Sequence, residues 1–433
     1  MGVLVRQDHT HINCRRQVGG VLPLLAVVAA VLISVFYPLA HSRGAVVRLS
    51  SPFHVEVAGA PTPVHTLRLA IEMAAHIAFP QLEDAEIVLA GTQPVLSPLS
   101  PGRSVTVLTK LDITTSEGAP LIWVVPVTLT NTPAVGRDAQ RLLVSDSPET
   151  VSDDGILDAG TLGASQTARI LYHHQNGRTD RNMWLILTLV NPTPSPVRLL
   201  IVGATGGPHP DELRAGHTAA RGFLEQYWAR AGVFLQLPPN GIIPLLATRV
   251  PPNDVASGLA QIAVLEGSGV EVQLAAQFPR RGEPPVFSRI LPLDTQHQRG
   301  VVGPPVVARS FSYAVGGPEP MMWVGANEDL LRDEVSGEPL HGNYGVIYTF
   351  DVQLTNPTAH PTTVALAIHA NSGLAGATLL VNGALLDIPS VGPGPPRTVT
   401  TVHLPPTANG HLRISTMSEG GANYPVLFTV GPP

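Results

Sequence analysis

Twice in this chain an apolar run stops at Asn-Pro-Thr, bends through a further proline and resumes as a second apolar run. Residues 183–203 read MWLILTLVNPTPSPVRLLIVG, and residues 347–370 read IYTFDVQLTNPTAHPTTVALAIHA. Asn side chains bond to backbone two residues on, and Pro holds φ near the value a turn needs. The flanking runs are apolar and of strand length. Each copy therefore reads as two antiparallel strands joined by an Asx-Pro turn, the central hairpin of a β-domain. Their recurrence reads as an internal duplication.

The rest of the chain fits the same pattern. Its 43 Pro and 41 Gly are spread throughout, as many short strands and turns require. Apolar runs at 105–113, 121–130, 167–174, 242–248, 306–315 and 321–324 are further expected strands. Pro244 marks 242–248 as an edge strand. Glu266-Gly267-Ser268 and Asn382-Gly383 read as hairpin turns. Residues 142–162 are acidic and turn-rich. Two stretches break the pattern. Residues 64–79 place Leu67, Ile71, Ala74 and Ile77 on one helical side. Residues 210–230 begin acidic, continue Ala-rich and end before Gly232, with Ala220, Phe223, Leu224, Tyr227 and Trp228 as an apolar face.

Residues 21–40 carry no charge over a length that crosses a bilayer as a helix, with Arg15 and Arg16 just before them. This predicts a single-pass anchor with 1–20 cytoplasmic and the remainder outside. A signal peptide cut near Ala40, giving a secreted protein, is the alternative. The expected organisation is then a stalk at 41–103 with a short helix, a first β-sandwich at 104–278 with helix 213–231, and a second β-sandwich at 279–433. The expected fold class is mainly β: an N-terminal transmembrane helix followed by two tandem immunoglobulin-like β-sandwich domains, the first with a helical insertion. One large sandwich is the alternative.

Several phrases resemble a family of exported, β-rich proteins from cyanobacteria and other bacteria, known only as a domain of unknown function. They are TARILYHHQNG (167–177), LTLVNPTPSPVRL (187–199), AGHTAARGFL (215–224) and HGNYGVIYTFDVQLTNPT (341–358). The resemblance spans about residues 105–430. It implies exported β-architecture and carries over no functional residue.

Charge and cysteine content narrow the function. The net charge of −6 includes no basic stripe, which argues against a nucleic-acid partner. Cys14 is the sole cysteine and precedes the apolar segment, so disulfides, thiolate zinc sites and cysteine nucleophiles are excluded beyond it. No phosphate-binding loop, dinucleotide fingerprint, nucleophile elbow or metalloprotease helix motif is present.

The candidate sites are accordingly few. His173, His174 and His217 are metal candidates, with His209 nearby, although adjacent strand residues point to opposite faces. Asp146, Glu149, Asp153 and Asp154 form an acidic loop of the kind that takes calcium; otherwise no cofactor is expected. Glu328, Asp329, Asp333 and Glu334 offer paired carboxylates. Trp123, Trp184 and Trp323 lie inside apolar strands and read as core. Trp228 and Tyr344 are the better ligand contacts. No catalytic residue is assigned. The expected function is a membrane-anchored, extracytoplasmic structural or adhesive cell-surface protein without catalysis. Its expected partners are the membrane through 21–40 and a cell-wall polysaccharide or another surface protein. The alternatives are a carbohydrate- or peptidoglycan-binding module and an exported metal-dependent enzyme.

Overall fold

The structure is a computed structural model that describes residues 46–48, 53–78, 86–89, 96–114, 121–278 and 289–433. The expected anchor at 21–40 and Cys14 lie outside them. No helix among the described residues is long and apolar enough to cross a membrane.

Among the described residues strands dominate, arranged in four sheets with two α-helices, α1 (Val64–Ala78) and α2 (Glu212–Trp228). A twelve-stranded and a four-stranded sheet share one apolar core, built around Trp123, Tyr172, Leu185, Leu199 and Ile262. A five-stranded and a second four-stranded sheet enclose another, built around Tyr348, Phe350, Ile368 and Phe428. The molecule is thus mainly β and sandwich-like.

The duplicated Asn-Pro-Thr turns join sheets rather than neighbouring strands, which corrects the hairpin expectation. Met183–Val190 belongs to the four-stranded sheet of the first pair, and Val197–His209 to the twelve-stranded sheet. Ile347–Thr355 and Thr362–Ala370 are divided in the same way between the second pair. The reason lies in a buried amide. Asn191 Nδ2 donates to the carbonyls of Ser195 (2.8 Å) and Pro238 (2.9 Å), while its Oδ1 accepts from the Thr193 amide (3.1 Å). Asn356 repeats this with His360 (2.8 Å), Pro405 (2.9 Å) and Thr358 (3.1 Å). Each Asn ties its own arch to a second arch, 238–241 or 405–408, that also crosses between the sheets. Glu266-Gly267-Ser268 likewise links two sheets. Asn382-Gly383 does close a hairpin, pairing Val381 with Ala384, and both turn residues have positive φ.

Three further expectations change. The 142–162 stretch contains the strands Arg141–Ser145 and Gly155–Gly163. The segment read as a stalk supplies Phe53–Ala58, which pairs with Leu121–Asn131, and helix α1, whose Leu67, Ile71 and Met73 are buried in the first core. Arg299–Val302 pairs with Arg141–Ser145, so the chain stays with the first sheets past residue 279.

Helix α2 lies between the two sheet pairs. Asp211 caps its start, accepting from the Arg214 amide. Small residues let it sit close on both sides. A Cβ on Gly206 would fall 1.9 Å from the Ala215 carbonyl oxygen, and one on Gly216 would fall 1.6 Å from that of Gly420. Ala220, Phe223 and Leu224 join the second core.

Candidate functional site

Two clefts open where the sheet pairs meet, one at each end of α2. At about 1.5 Å per residue, the helix holds them roughly 25 Å apart.

The cleft at the start of α2 has a volume of about 330 Å³. His173, on Thr167–Asn176, projects into it, 3% exposed and with neither ring nitrogen hydrogen-bonded. Glu149, from the link between Arg141–Ser145 and Thr150–Val151, and Glu212, the first residue of α2, reach the same point. One donor atom from each of the three residues lies within 4.8 Å of the others. Asp146, His297 and Tyr344 also line the cleft. His297 sits 3.0 Å from Glu149 through Nε2 and 3.0 Å from Asp294 through Nδ1. From the other sheet pair, glycines 420 and 421 pass over the imidazole. A Cβ at Gly421 would lie 2.9 Å from His173 Cε1, so only glycine permits this approach. Tyr344 donates to the Ala422 carbonyl (2.8 Å) and fixes that loop.

Burial and the neighbouring His297 push His173 down to about 4, so it is neutral at neutral pH. Burial, then Glu149, Asp294 and Glu212, push Asp146 well above the usual carboxylate range. Burial, Glu149 and Asp211 raise Glu212 in the same direction. The cleft therefore gathers carboxyl groups around a buried imidazole with a free lone pair.

The groove at the end of α2 has a volume of about 580 Å³. Arg137, Arg230 and Arg413 line it, opposed by Asp138, which accepts from the Tyr227 hydroxyl (2.7 Å). Neither Arg230 nor Arg413 has an ion-pair partner among the described residues. The Trp228 indole N–H is buried there without an acceptor.

The sequence candidates divide between these and other places. His173, Asp146 and Tyr344 meet in the first cleft, and Trp228 lines the second. His174 faces away from His173. It donates through Nδ1 to the Pro148 carbonyl (2.9 Å) and accepts from Ser145 (3.1 Å), and burial holds it down to about 3. His217 lies between Glu419 (2.7 Å) and Asp387 (2.9 Å), a bridge from α2 to the second sheet pair. Asp153 pairs with Arg289 (3.1 Å), and Asp154 accepts from the Phe278 amide. Asp329 and Glu334 pair with Arg309 and Arg141, while Asp333 accepts from the amides of Val301, Val335 and Ser336. Trp123 and Trp184 are buried and Trp323 is half-buried. Sequence reasoning read Glu212 only as a helix start and passed over His297. Their convergence on His173 depends on pairings that local pattern does not carry.

No family model matches this chain, and no curated protein does. Among solved structures it aligns with Lac15 from a marine microbial metagenome at 11% identity, covering 76% of this chain and 72% of that one, with a TM-score of 0.14. An anti-sigma factor domain-containing protein aligns at 9% identity over 68% of this chain and 93% of its own, with a TM-score of 0.16. The tandem CBM22-1-CBM22-2 domains of Paenibacillus barcinonensis Xyn10C align at 8% identity over 80% and 91%, with a TM-score of 0.13. Alignments this shallow assign neither fold family nor function.

Proposed function

We propose that this chain is an extracytoplasmic cell-surface protein, held in the membrane by residues 21–40, whose role is structural or adhesive and exerted by binding rather than catalysis. The same reading makes its two sheet pairs tandem immunoglobulin-like sandwiches and places it with the exported β-rich family it resembles. The observation that carries the binding role is the 580 Å³ groove, with the arginines of positions 230 and 413 unpaired among the described residues and Trp228 in its lining. Guanidinium groups pair with carboxylates, and an aromatic ring offers a sugar an apolar face. An acidic cell-wall polysaccharide suits that combination.

Electrophoresis of the purified full-length chain in detergent, through native gels containing polygalacturonate or neutral dextran, tests this reading. Retardation by polygalacturonate alone, relieved in an Arg230→Ala/Arg413→Ala variant, is expected. Equal mobility in both gels, or retardation unchanged by the substitutions, would overturn it. A second reading, an exported metal-dependent enzyme, is favoured by the grouping of Glu149, His173 and Glu212.

A further inference from the structure

We infer that Glu149, His173 and Glu212 bind one divalent transition-metal ion, of the zinc class, in the cleft at the start of α2. The inference is independent of the proposed surface role and stands on the other end of the helix.

The first argument is His173 itself. A buried polar ring with no partner on either nitrogen is costly, and native structures rarely leave one so. A ring nitrogen left without a hydrogen bond is the atom that can donate a lone pair to a metal. The second argument is geometry. Ligand atoms around a tetrahedral zinc-sized ion sit about 3.4 Å apart. Donors within 4.8 Å of one another lie close to that spacing, and Glu212 is exposed. The third is the lining: the carboxyl groups of Asp146, Glu149 and Glu212 face the same cleft as the imidazole.

The surroundings fit as well. Asp294 Oδ2 accepts from the Glu149 amide (2.9 Å) and lies 3.0 Å from His297 Nδ1, leaving His297 Nε2 directed at Glu149. A ligating carboxylate that is itself hydrogen-bonded is oriented for the metal. The donor set decides the class of ion. Calcium takes oxygen ligands, whereas an imidazole nitrogen beside carboxylates suits zinc and its neighbours. The three protein donors leave the remaining coordination facing the 330 Å³ cleft.

The test uses the purified full-length chain, stripped with a chelator and then titrated calorimetrically with Zn²⁺, with and without excess Ca²⁺. One equivalent of zinc, not displaced by calcium, is expected, with a rise in melting temperature on binding. Glu212→Gln lies on an exposed first turn and leaves the fold intact by circular dichroism. It should weaken zinc at least about tenfold, and His173→Gln should abolish binding. Failure to take up zinc, uptake unchanged in Glu212→Gln, or displacement by calcium would each overturn the inference.

Discussion

At the scale of single residues, Asn191 and Asn356 hold the architecture. Each spends one side chain on its own turn and on a second arch, and each is fully buried. Replacing either by Ala leaves buried carbonyls and an amide without partners, at about 1–3 kcal/mol. Asn356→Ala and Asn191→Ala should therefore lower urea stability by similar amounts, because the contacts match bond for bond. A near-silent Asn191→Ala would show that the first arch is held by something else. Both residues were visible in the sequence as turn formers. Their role as ties between arches was not, since Pro238 and Pro405 lie 47 and 49 residues away.

At the scale of elements, α2 is the joint between the sheet pairs, and His217 is its charged pin. Burial pulls His217 down, but the hydrogen bonds and charges of Glu419 and Asp387 outweigh it and raise it above 6.5. Asp387 is also held by Arg221 (2.7 Å). A raised value means that the stabilisation is complete below pH 6.5 and is lost as pH rises through the folded-state value. Urea denaturation of wild type and His217→Gln, from about pH 5.5 to 9, should give a stability difference that is largest at the acid end and shrinks upward. A difference independent of pH would mean that folding leaves the titration of His217 unshifted, and one that grows with pH would mean a ring held neutral. The helix itself was legible from its capped, Ala-rich pattern. That its small residues face two layers at once was not, because Gly420 comes from the other sheet pair.

At the scale of the whole molecule, the two sheet pairs are not independent beads. Phe223 and Leu224 of α2 lie in the same apolar cluster as Tyr348 and Phe428. Buried Arg169 crosses the junction, donating to the Gly345 carbonyl (2.7 Å) while its guanidinium stacks over Phe223. Phe223→Ala should cost about 3–5 kcal/mol, and scanning calorimetry should show one transition moved down as a unit. Two transitions, only one of them shifted, would mean that the sheet pairs unfold separately.

The sequence by itself determined most of the strands, the two helices, the positions of the duplicated turns and the burial of Trp123 and Trp184. Periodicity and turn chemistry are local, and neighbouring residues suffice to express them. Only the tertiary structure decided that Asn-Pro-Thr crosses between sheets, that residues 53–78 belong to the first core, and that His173 meets Glu149 and Glu212 while His174 and His217 do not join it. These follow from which strand edges pair and which faces stack. Such choices are made by apolar burial between segments far apart in the chain, and no local pattern records them.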